Sequence, residues 1–325
     1  MTSHYKKNIS FILKATIVIS AFWFIFLKLS ANENLAAFRD LLRDVSQLEI
    51  ALLLMTVSIL MFVNWGLEAV KWKKLVSHVE KISLRTAIES VFCGLTWAVF
   101  TPNRIGEYGG RVFFLSPKRR IMGVVAMAVG NIGQMVLTNV FGAIALCFFL
   151  HRFIGMDYRL FYAIVALSGI FCLFFIVFYF NIKWLNGILL SFRFTRKFKK
   201  FYSVLSKYRT KELTSILLFC IARYSVFSTQ YFILFNWLMP EIHDFDILML
   251  VSILFFVQST LPSLDIFDIG VRSITAAYFF SFVTDQDIAV IACIAVIWLI
   301  NIIIPAILGS YFVFKLDFFG NSRRS

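Results

Sequence analysis

Six charged side chains lie within two otherwise apolar stretches of the chain. They are Arg104, Glu107, Arg111, Asp265, Asp268 and Arg272. A guanidinium group can grip two oxygens of a phosphate or a carboxylate at once, and a carboxylate can pair with it or carry a proton. The six residues can therefore bind an anionic group such as a lipid phosphate, or they can pair with one another and hold the two stretches together.

The composition indicates that lipid surrounds most of the chain. Hydrophobic residues make up 60% of the sequence and charged residues 15%, whereas a soluble domain has roughly half and roughly a quarter. A helix needs about 20 apolar residues to cross a bilayer core about 30 Å thick. Six stretches meet this length: residues 9–29, 50–67, 124–150, 160–180, 213–238 and 288–314. We therefore predict one all-α integral membrane domain over residues 1–325 with about six full transmembrane helices.

The net charge of +14 could indicate a nucleic-acid partner. The basic residues occur instead in short runs between the apolar stretches. This pattern is typical of loops that set the orientation of membrane spans and contact anionic lipid headgroups. Lys and Arg collect in cytoplasmic loops, so we predict a cell membrane protein of the bacterial inner membrane with both termini in the cytoplasm. Residues 182–212 mix basic and apolar positions and predict an amphipathic cytoplasmic segment on the inner leaflet.

Two further apolar stretches, residues 86–116 and 247–283, are interrupted by polar residues and by Pro and Gly. The pieces on either side of each interruption are too short for two full spans. We predict a re-entrant helical hairpin in each stretch. The first begins and ends beside basic clusters and the second beside acidic residues, so the two enter from opposite faces. This arrangement predicts an inverted repeat with a binding site near the middle of the membrane.

Interrupted backbone in a membrane needs partners from protein or from a water-filled cavity. The sequence therefore predicts a polar cavity between the two hairpins, although simple Pro or Gly kinks are the alternative. Buried charges also need partners, and we expect Glu107 to pair with Arg272, and Arg111 with Asp265 or Asp268. These pairs have a purely structural alternative to a substrate-binding role. Asn64 and Glu68 share a helix face at i, i+4, although a position at the membrane interface explains Glu68 as well.

No residue pattern predicts catalysis or a cofactor. The five cysteines and four histidines are scattered without ligand spacing, so we expect no metal site. We find no Gly-rich loop followed by Lys and Ser or Thr, so ATP hydrolysis by this chain is not expected. We also find no Ser/His/Asp set, and predict that the chain is not an enzyme.

The segment from Thr101 to Arg111 resembles the transmembrane family named after lysylphosphatidylglycerol synthase, also called the flippase-like family. The similarity lies in a Pro, a basic or polar turn, Gly106-Glu107 and then Arg111. Residues 261–262 and 269–272 are similar to the family's second signature. Ser263 and Leu264 replace its usual glycines, and Ser273 replaces its usual Glu, which leaves Asp265 or Asp268 as the substitute. Asn64 and Trp72 also resemble the family's pattern.

The resemblance implies paired re-entrant hairpins and the movement of lipids or lipid-linked molecules between leaflets. The predicted partners are thus membrane lipids, with an anionic or lipid-linked substrate. The alternative is a transferase that modifies lipid headgroups, or its membrane subunit. In family members that are synthases a separate soluble domain performs the chemistry, and about ten residues follow the last predicted span. We therefore favour transport over catalysis; the sequence leaves the oligomeric state open.

Overall fold

A computed structural model describes residues 46–101, 104–191, 199–260 and 265–316, together with positions 12, 15, 16, 19 and 23. For residues 265–269 only the backbone is described. The described residues are almost entirely helical and contain no β-strand, which confirms the all-α class.

The helices are numbered here in chain order. They are α1 (Gln47–Val76), α2 (Leu84–Val99), α3 (Ile105–Val112), α4 (Arg120–Phe149), α5 (Tyr158–Phe180), α6 (Lys183–Ser191), α7 (Lys199–Tyr202), α8 (Thr210–Leu238), α9 (Asp244–Thr260), α10 (Asp265–Phe280), α11 (Asp287–Trp298) and α12 (Ile304–Val313). A π-helical turn, Leu299–Ile303, joins α11 to α12 into one longer helix, and a similar turn, Leu150–Ile154, extends α4.

Among the described residues, five helices are long and apolar enough to cross a membrane. They are α1, α4 with its flanking turns, α5, α8, and α11 joined to α12. Each contains or nearly coincides with one of the predicted spans, so these five predictions are confirmed as membrane-compatible helices. The predicted span 9–29 lies almost wholly outside the described residues, and the few positions described within it are helical. The total of six spans therefore stays a prediction.

The first interrupted stretch folds as a tight pair of antiparallel helices, α2 and α3. At about 1.5 Å per residue, the 16 residues of α2 and the 8 residues of α3 span about 24 Å and about 12 Å. A Cβ on Gly110 would lie 2.5 Å from the Gly94 Cα atom, and one on Gly106 would lie 2.3 Å from the Trp97 carbonyl oxygen. The two helices thus pack backbone against backbone, which only glycine permits at these positions.

The turn between α2 and α3 is stabilised by Thr101. Its hydroxyl donates to the Trp97 carbonyl at 2.8 Å and accepts from the Gly106 N–H at 2.8 Å. Arg104 has a φ of 55° and lies in the left-handed region, the only non-glycine residue to do so among those described. A side chain in this region costs on the order of 1–3 kcal/mol and marks functional sites disproportionately.

The second interrupted stretch consists of α9, with 17 residues, and α10, with 16 residues, on either side of residues 261–264. The two helices are in contact. Residues 261–264, which contain the predicted turn, lie outside the described residues. The first helices of the two stretches, α2 and α9, are similar in length, as the repeat hypothesis expects. The second helices differ, because α10 is twice as long as α3.

Contacts between loops define two ends of the helical bundle. At the end we call the basic end, the Ser116 N–H donates to Glu80 at 3.0 Å, and His78 lies 2.9 Å from Glu212. At the end we call the acidic end, Gln286 donates to Glu241 at 2.9 Å. The first interrupted stretch therefore starts and finishes at the basic end, and the second starts and finishes at the acidic end.

Lys and Arg predominate among the described charged residues at the basic end, and Asp and Glu at the acidic end. Exposed members of the first group include Lys73, Lys118 and Arg119, and of the second Glu241, Asp244 and Asp285. The predicted segment 182–212 belongs to the basic end. Its described parts are α6, α7 and a short 3-10 turn, Leu205–Lys207, and residues 192–198 lie outside the described part of the chain.

We predict that Gly110→Ala destabilises the protein by about 1–3 kcal/mol, because the added methyl group collides with the backbone of α2. Gly169→Ala is the matched control, since a Cβ there has no neighbour within 4 Å and alanine is the better helix former. The measurement is thermal unfolding of the purified protein in detergent. Equal melting temperatures for the two variants would contradict the backbone-to-backbone packing.

We also predict that single cysteines replacing Lys118 and Asp285 react from opposite sides of the membrane. Both positions are exposed, one at each end of the bundle. In a background without the five native cysteines, an impermeant maleimide should label one position in intact cells and both after permeabilisation. Labelling of both in intact cells would mean that the two ends do not face opposite compartments.

Candidate functional site

The Glu68 carboxylate is the centre of a buried ion cluster. Glu68 lies in α1 and is 3% exposed. Its Oε1 atom accepts from Arg111 of α3 at 2.6 Å. Its Oε2 atom lies 2.6 Å from the Lys71 ammonium and also pairs with Arg223 of α8. One carboxylate thus joins three helices.

A second carboxylate extends the cluster along α3. Glu107 pairs with Arg111, four residues later, and with Arg104, three residues earlier and 3.5 Å away. These spacings place the side chains on one face of a helix. Among the described residues the cluster contains more cations than carboxylates, because Lys71, Arg104, Arg111 and Arg223 face only Glu68 and Glu107.

The close packing of α2 and α3 brings Arg111 into this position. A Cβ on Gly94 would lie 3.0 Å from the Arg111 Cγ atom, so the glycine leaves room for the arginine stem. Arg111 is 1% exposed, and Glu107 is also largely shielded. A buried pair of this kind leaves an uncompensated charge when one partner is removed, at a cost of about 3–5 kcal/mol.

A cavity of about 350 Å³ lies beside the ion cluster. Its wall is formed by Asn64, Trp65, Arg104, Gln134, Thr138, Arg223, Tyr224, Phe227, Phe255, Gln258, Ser259, Arg272, Asn301 and Ile302. Asn64, Gln134, Arg223 and Asn301 each lie near the middle of a membrane-compatible helix. The cavity is therefore near the middle of the bundle.

Three arginines are the charged residues of this wall. Arg104 comes from the first interrupted stretch, Arg272 from the second and Arg223 from α8. No Asp or Glu lines the cavity among the residues that the structure describes. Arg223 donates to the Asn64 amide oxygen at 3.0 Å and lies 5.2 Å above the Trp65 ring. Such a wall favours an anionic ligand.

Asn301, which lines the cavity, lies where the helix formed by α11 and α12 is locally irregular. Pro305 has no N–H, so the Asn301 carbonyl, four residues earlier, has no α-helical donor. The Trp65 indole N–H donates to this carbonyl at 3.3 Å. Asn301 lies within the π-helical turn, and such turns occur frequently at functional sites.

The structure distributes the predicted site residues over two neighbouring places. Arg104 and Arg272 line the cavity together. Glu107 and Arg111 belong to the ion cluster beside it. The expected pairings of Glu107 with Arg272, and of Arg111 with Asp265 or Asp268, stay predictions. Arg111 pairs with Glu68 and Glu107, and Glu107 pairs with Arg104 and Arg111. The side chains of Asp265 and Asp268 lie outside the described residues.

Sequence reasoning missed or misplaced several members of the site. Lys71 belongs to the run of basic residues that follows the predicted span 50–67, yet it is 1% exposed and bound to Glu68. Glu68 is buried among the helices. Both lie just beyond the predicted span 50–67 but inside α1. A longer predicted span would have marked them, because an ionisable residue within a membrane span marks a functional site by default. Asn301 was recognisable too, because it is an amide within an apolar run and lies four residues before a proline.

No family model matches the chain, and no curated protein matches it. The likeness to the flippase-like family therefore depends on the motifs around Arg104 and Arg272 and stays a prediction.

We predict that Glu68→Gln lowers the free energy of unfolding by about 3–5 kcal/mol, because three cations lose their shared buried carboxylate. Glu89→Gln is the control. Glu89 also pairs with two cations, Arg85 and Lys315, but both are exposed to solvent, and such pairs contribute at most about 1 kcal/mol. Thermal or denaturant unfolding in detergent measures the difference. If Glu68→Gln lowered the free energy of unfolding by no more than the small amount expected for Glu89→Gln, the Glu68 cluster would not stabilise the bundle.

Proposed function

We propose that the protein translocates a phospholipid or a lipid-linked molecule between the two leaflets of a membrane. The polar head of the substrate occupies the arginine-lined cavity while its tails stay in lipid. The observation that carries the proposal is the meeting of Arg104 and Arg272, one from each interrupted stretch, at a single cavity near the middle of the bundle.

The position of the cavity supports translocation because the middle of the bilayer is where a polar headgroup meets its highest barrier. A charged group there costs about 2.5–3.5 kcal/mol even on the mildest scales. A wall of arginines, amides and hydroxyls replaces the contacts that the headgroup leaves behind in water.

The two interrupted stretches support an alternating mechanism. They start from opposite ends of the bundle, and each contributes to the same cavity. In our proposal they are re-entrant hairpins related by an inverted repeat, so that rocking of one against the other exposes the cavity to each leaflet in turn. The concentration of Lys and Arg at the basic end supports a cytoplasmic location for that end.

The resemblance of residues 101–111 to the flippase-like family agrees with this proposal. We propose that Arg104, Arg223 and Arg272 contact the substrate, and that Glu107 and Arg111 hold Arg104 and its helix in place. A headgroup transferase remains the alternative prediction, and lipid analysis in the assay below distinguishes it.

We predict that Arg104→Gly lowers leaflet exchange at least tenfold without lowering the melting temperature. Glycine occupies the left-handed region freely, so the backbone is kept while the charge is lost. A charge-assisted hydrogen bond contributes about 1.5–3 kcal/mol, and 1.4 kcal/mol is about tenfold. The measurement is exchange of fluorescent phosphatidylglycerol in liposomes containing the purified protein.

Arg119→Gln is the matched control, because Arg119 is an exposed arginine at the basic end, and its exchange rate should equal that of the unmodified protein. Normal exchange in Arg104→Gly would exclude this arginine from the pathway. Recovery of chemically altered lipid without exchange would replace translocation with the transferase.

A further inference from the structure

The wall of the cavity contains, in addition to the arginines, three amide side chains that each have one atom without a hydrogen-bond partner among the described residues. The Gln134 Oε1, Gln258 Nε2 and Asn301 Oδ1 atoms are buried and have no hydrogen-bond partner within the described protein. All three residues line the cavity, and they come from three different helical segments. A buried polar atom without a partner costs about 1–3 kcal/mol.

The chemistry of these amides identifies their partner. The three residues line the same cavity, and each amide group carries one oxygen acceptor and one nitrogen donor. A hydroxyl group can donate to the first kind and accept from the second. A ligand with several hydroxyl groups therefore satisfies all three residues, whereas a bare phosphate offers only acceptors and an ammonium group only donors.

The remaining wall is aromatic. Trp65, Tyr224, Phe227 and Phe255 line the same cavity. The face of an aromatic ring carries partial negative charge and attracts weakly positive C–H groups, such as those on the flat face of a sugar or cyclitol ring. At about 350 Å³, the cavity is within the lower range for small-ligand sites.

The same wall disfavours a cationic headgroup. Among the described lining residues there is no carboxylate for an ammonium group to pair with. The Trp65 ring, the strongest cation–π acceptor type, already carries the Arg223 guanidinium at 5.2 Å. The neighbouring ion cluster adds further positive charge, with Lys71 and Arg111 beside Arg223.

We infer that the cavity recognises a phosphate ester of a neutral polyol, with the phosphate on the arginines and the hydroxyl groups on Gln134, Gln258 and Asn301. This inference rests on the proposed function, since it names the headgroup class of the translocated lipid. Glycerol, inositol and sugar phosphates share this chemistry. Headgroups with an ammonium group, including aminoacylated ones, find no carboxylate among the described lining residues and are disfavoured.

The test is a binding measurement on the full chain in detergent by native mass spectrometry. The probes are dihexanoyl phosphatidylinositol, phosphatidylglycerol, phosphatidic acid and phosphatidylethanolamine, and a short polyprenyl-phosphate sugar. We expect at least one polyol probe to bind about tenfold more tightly than phosphatidic acid and phosphatidylethanolamine, a difference of about 1.4 kcal/mol. Comparison of the diacyl probes with the polyprenyl-phosphate sugar shows which kind of lipid carries the recognised headgroup.

Amide variants separate recognition from structure. The double variant Gln134→Leu with Asn301→Leu should lower polyol binding to the level of phosphatidic acid and leave phosphatidic acid binding unchanged. Gln230→Leu is the control, because Gln230 is a buried amide with an unpaired oxygen that lies outside the cavity wall, and its Nε2 atom donates to Val57 at 2.8 Å. This control should keep the polyol preference.

The results also separate the inference from the proposed function. Equal binding of all probes, a preference for phosphatidylethanolamine, or equal loss of every probe in the double variant would overturn polyol recognition. If leaflet exchange persists in those cases, the proposed function stands. Absence of exchange for every lipid would overturn the proposed function, even if the polyol probes bind.

Discussion

A carboxylate buried in a membrane-compatible bundle is tolerated only where cations surround it. Glu68 meets this constraint with Lys71 from its own helix, Arg111 from α3 and Arg223 from α8. Arg111 reaches Glu68 because Gly94 and Gly110 let α3 lie directly against α2. Arg223 reaches Glu68 while also lining the cavity. The folding of the first interrupted stretch and the charge of the cavity wall thus depend on the same carboxylate.

Two irregularities of the backbone lie at the cavity. Arg104 lies in the left-handed region, and Asn301 lies in a π-helical turn four residues before Pro305. Both line the cavity. Within a membrane, unpaired backbone is acceptable only where protein or a polar cavity supplies partners. Thr101 and Trp65 supply such partners from protein. At these two places the backbone departs from regular helix, and side chains nearby supply the hydrogen bonds that its N–H and C=O groups need.

The outline of the fold was predictable from local sequence, because the length of an apolar run directly reflects the thickness of the bilayer. Five predicted spans correspond to membrane-compatible helices. Arg104 and Arg272 were predictable as companions at one cavity because interrupted, charged segments need a common polar environment. The ion-pair partners were not predictable in the same way. Several cations and carboxylates in the chain satisfy the pairing rule, and only helix packing decides which of them meet.

Lys71 illustrates this limit. Its neighbours in sequence, Trp72, Lys73 and Lys74, make it look like part of a basic loop, yet a rotation of 100° per residue along α1 turns Lys71 toward Glu68 while Lys73 faces solvent. Gln134 and Gln258 show the same effect, since each lies in an apolar helix and becomes part of a site only beside the other.

The sequence by itself indicated a lipid environment, five membrane-compatible helices and the positions of the two interrupted stretches, because these depend on runs of neighbouring residues. Only the tertiary structure decided that Glu68 is the shared partner of three cations and that amides from three helical segments surround one cavity. The physical reason is that these contacts join residues far apart in the chain, and their choice depends on how closely the helices approach one another.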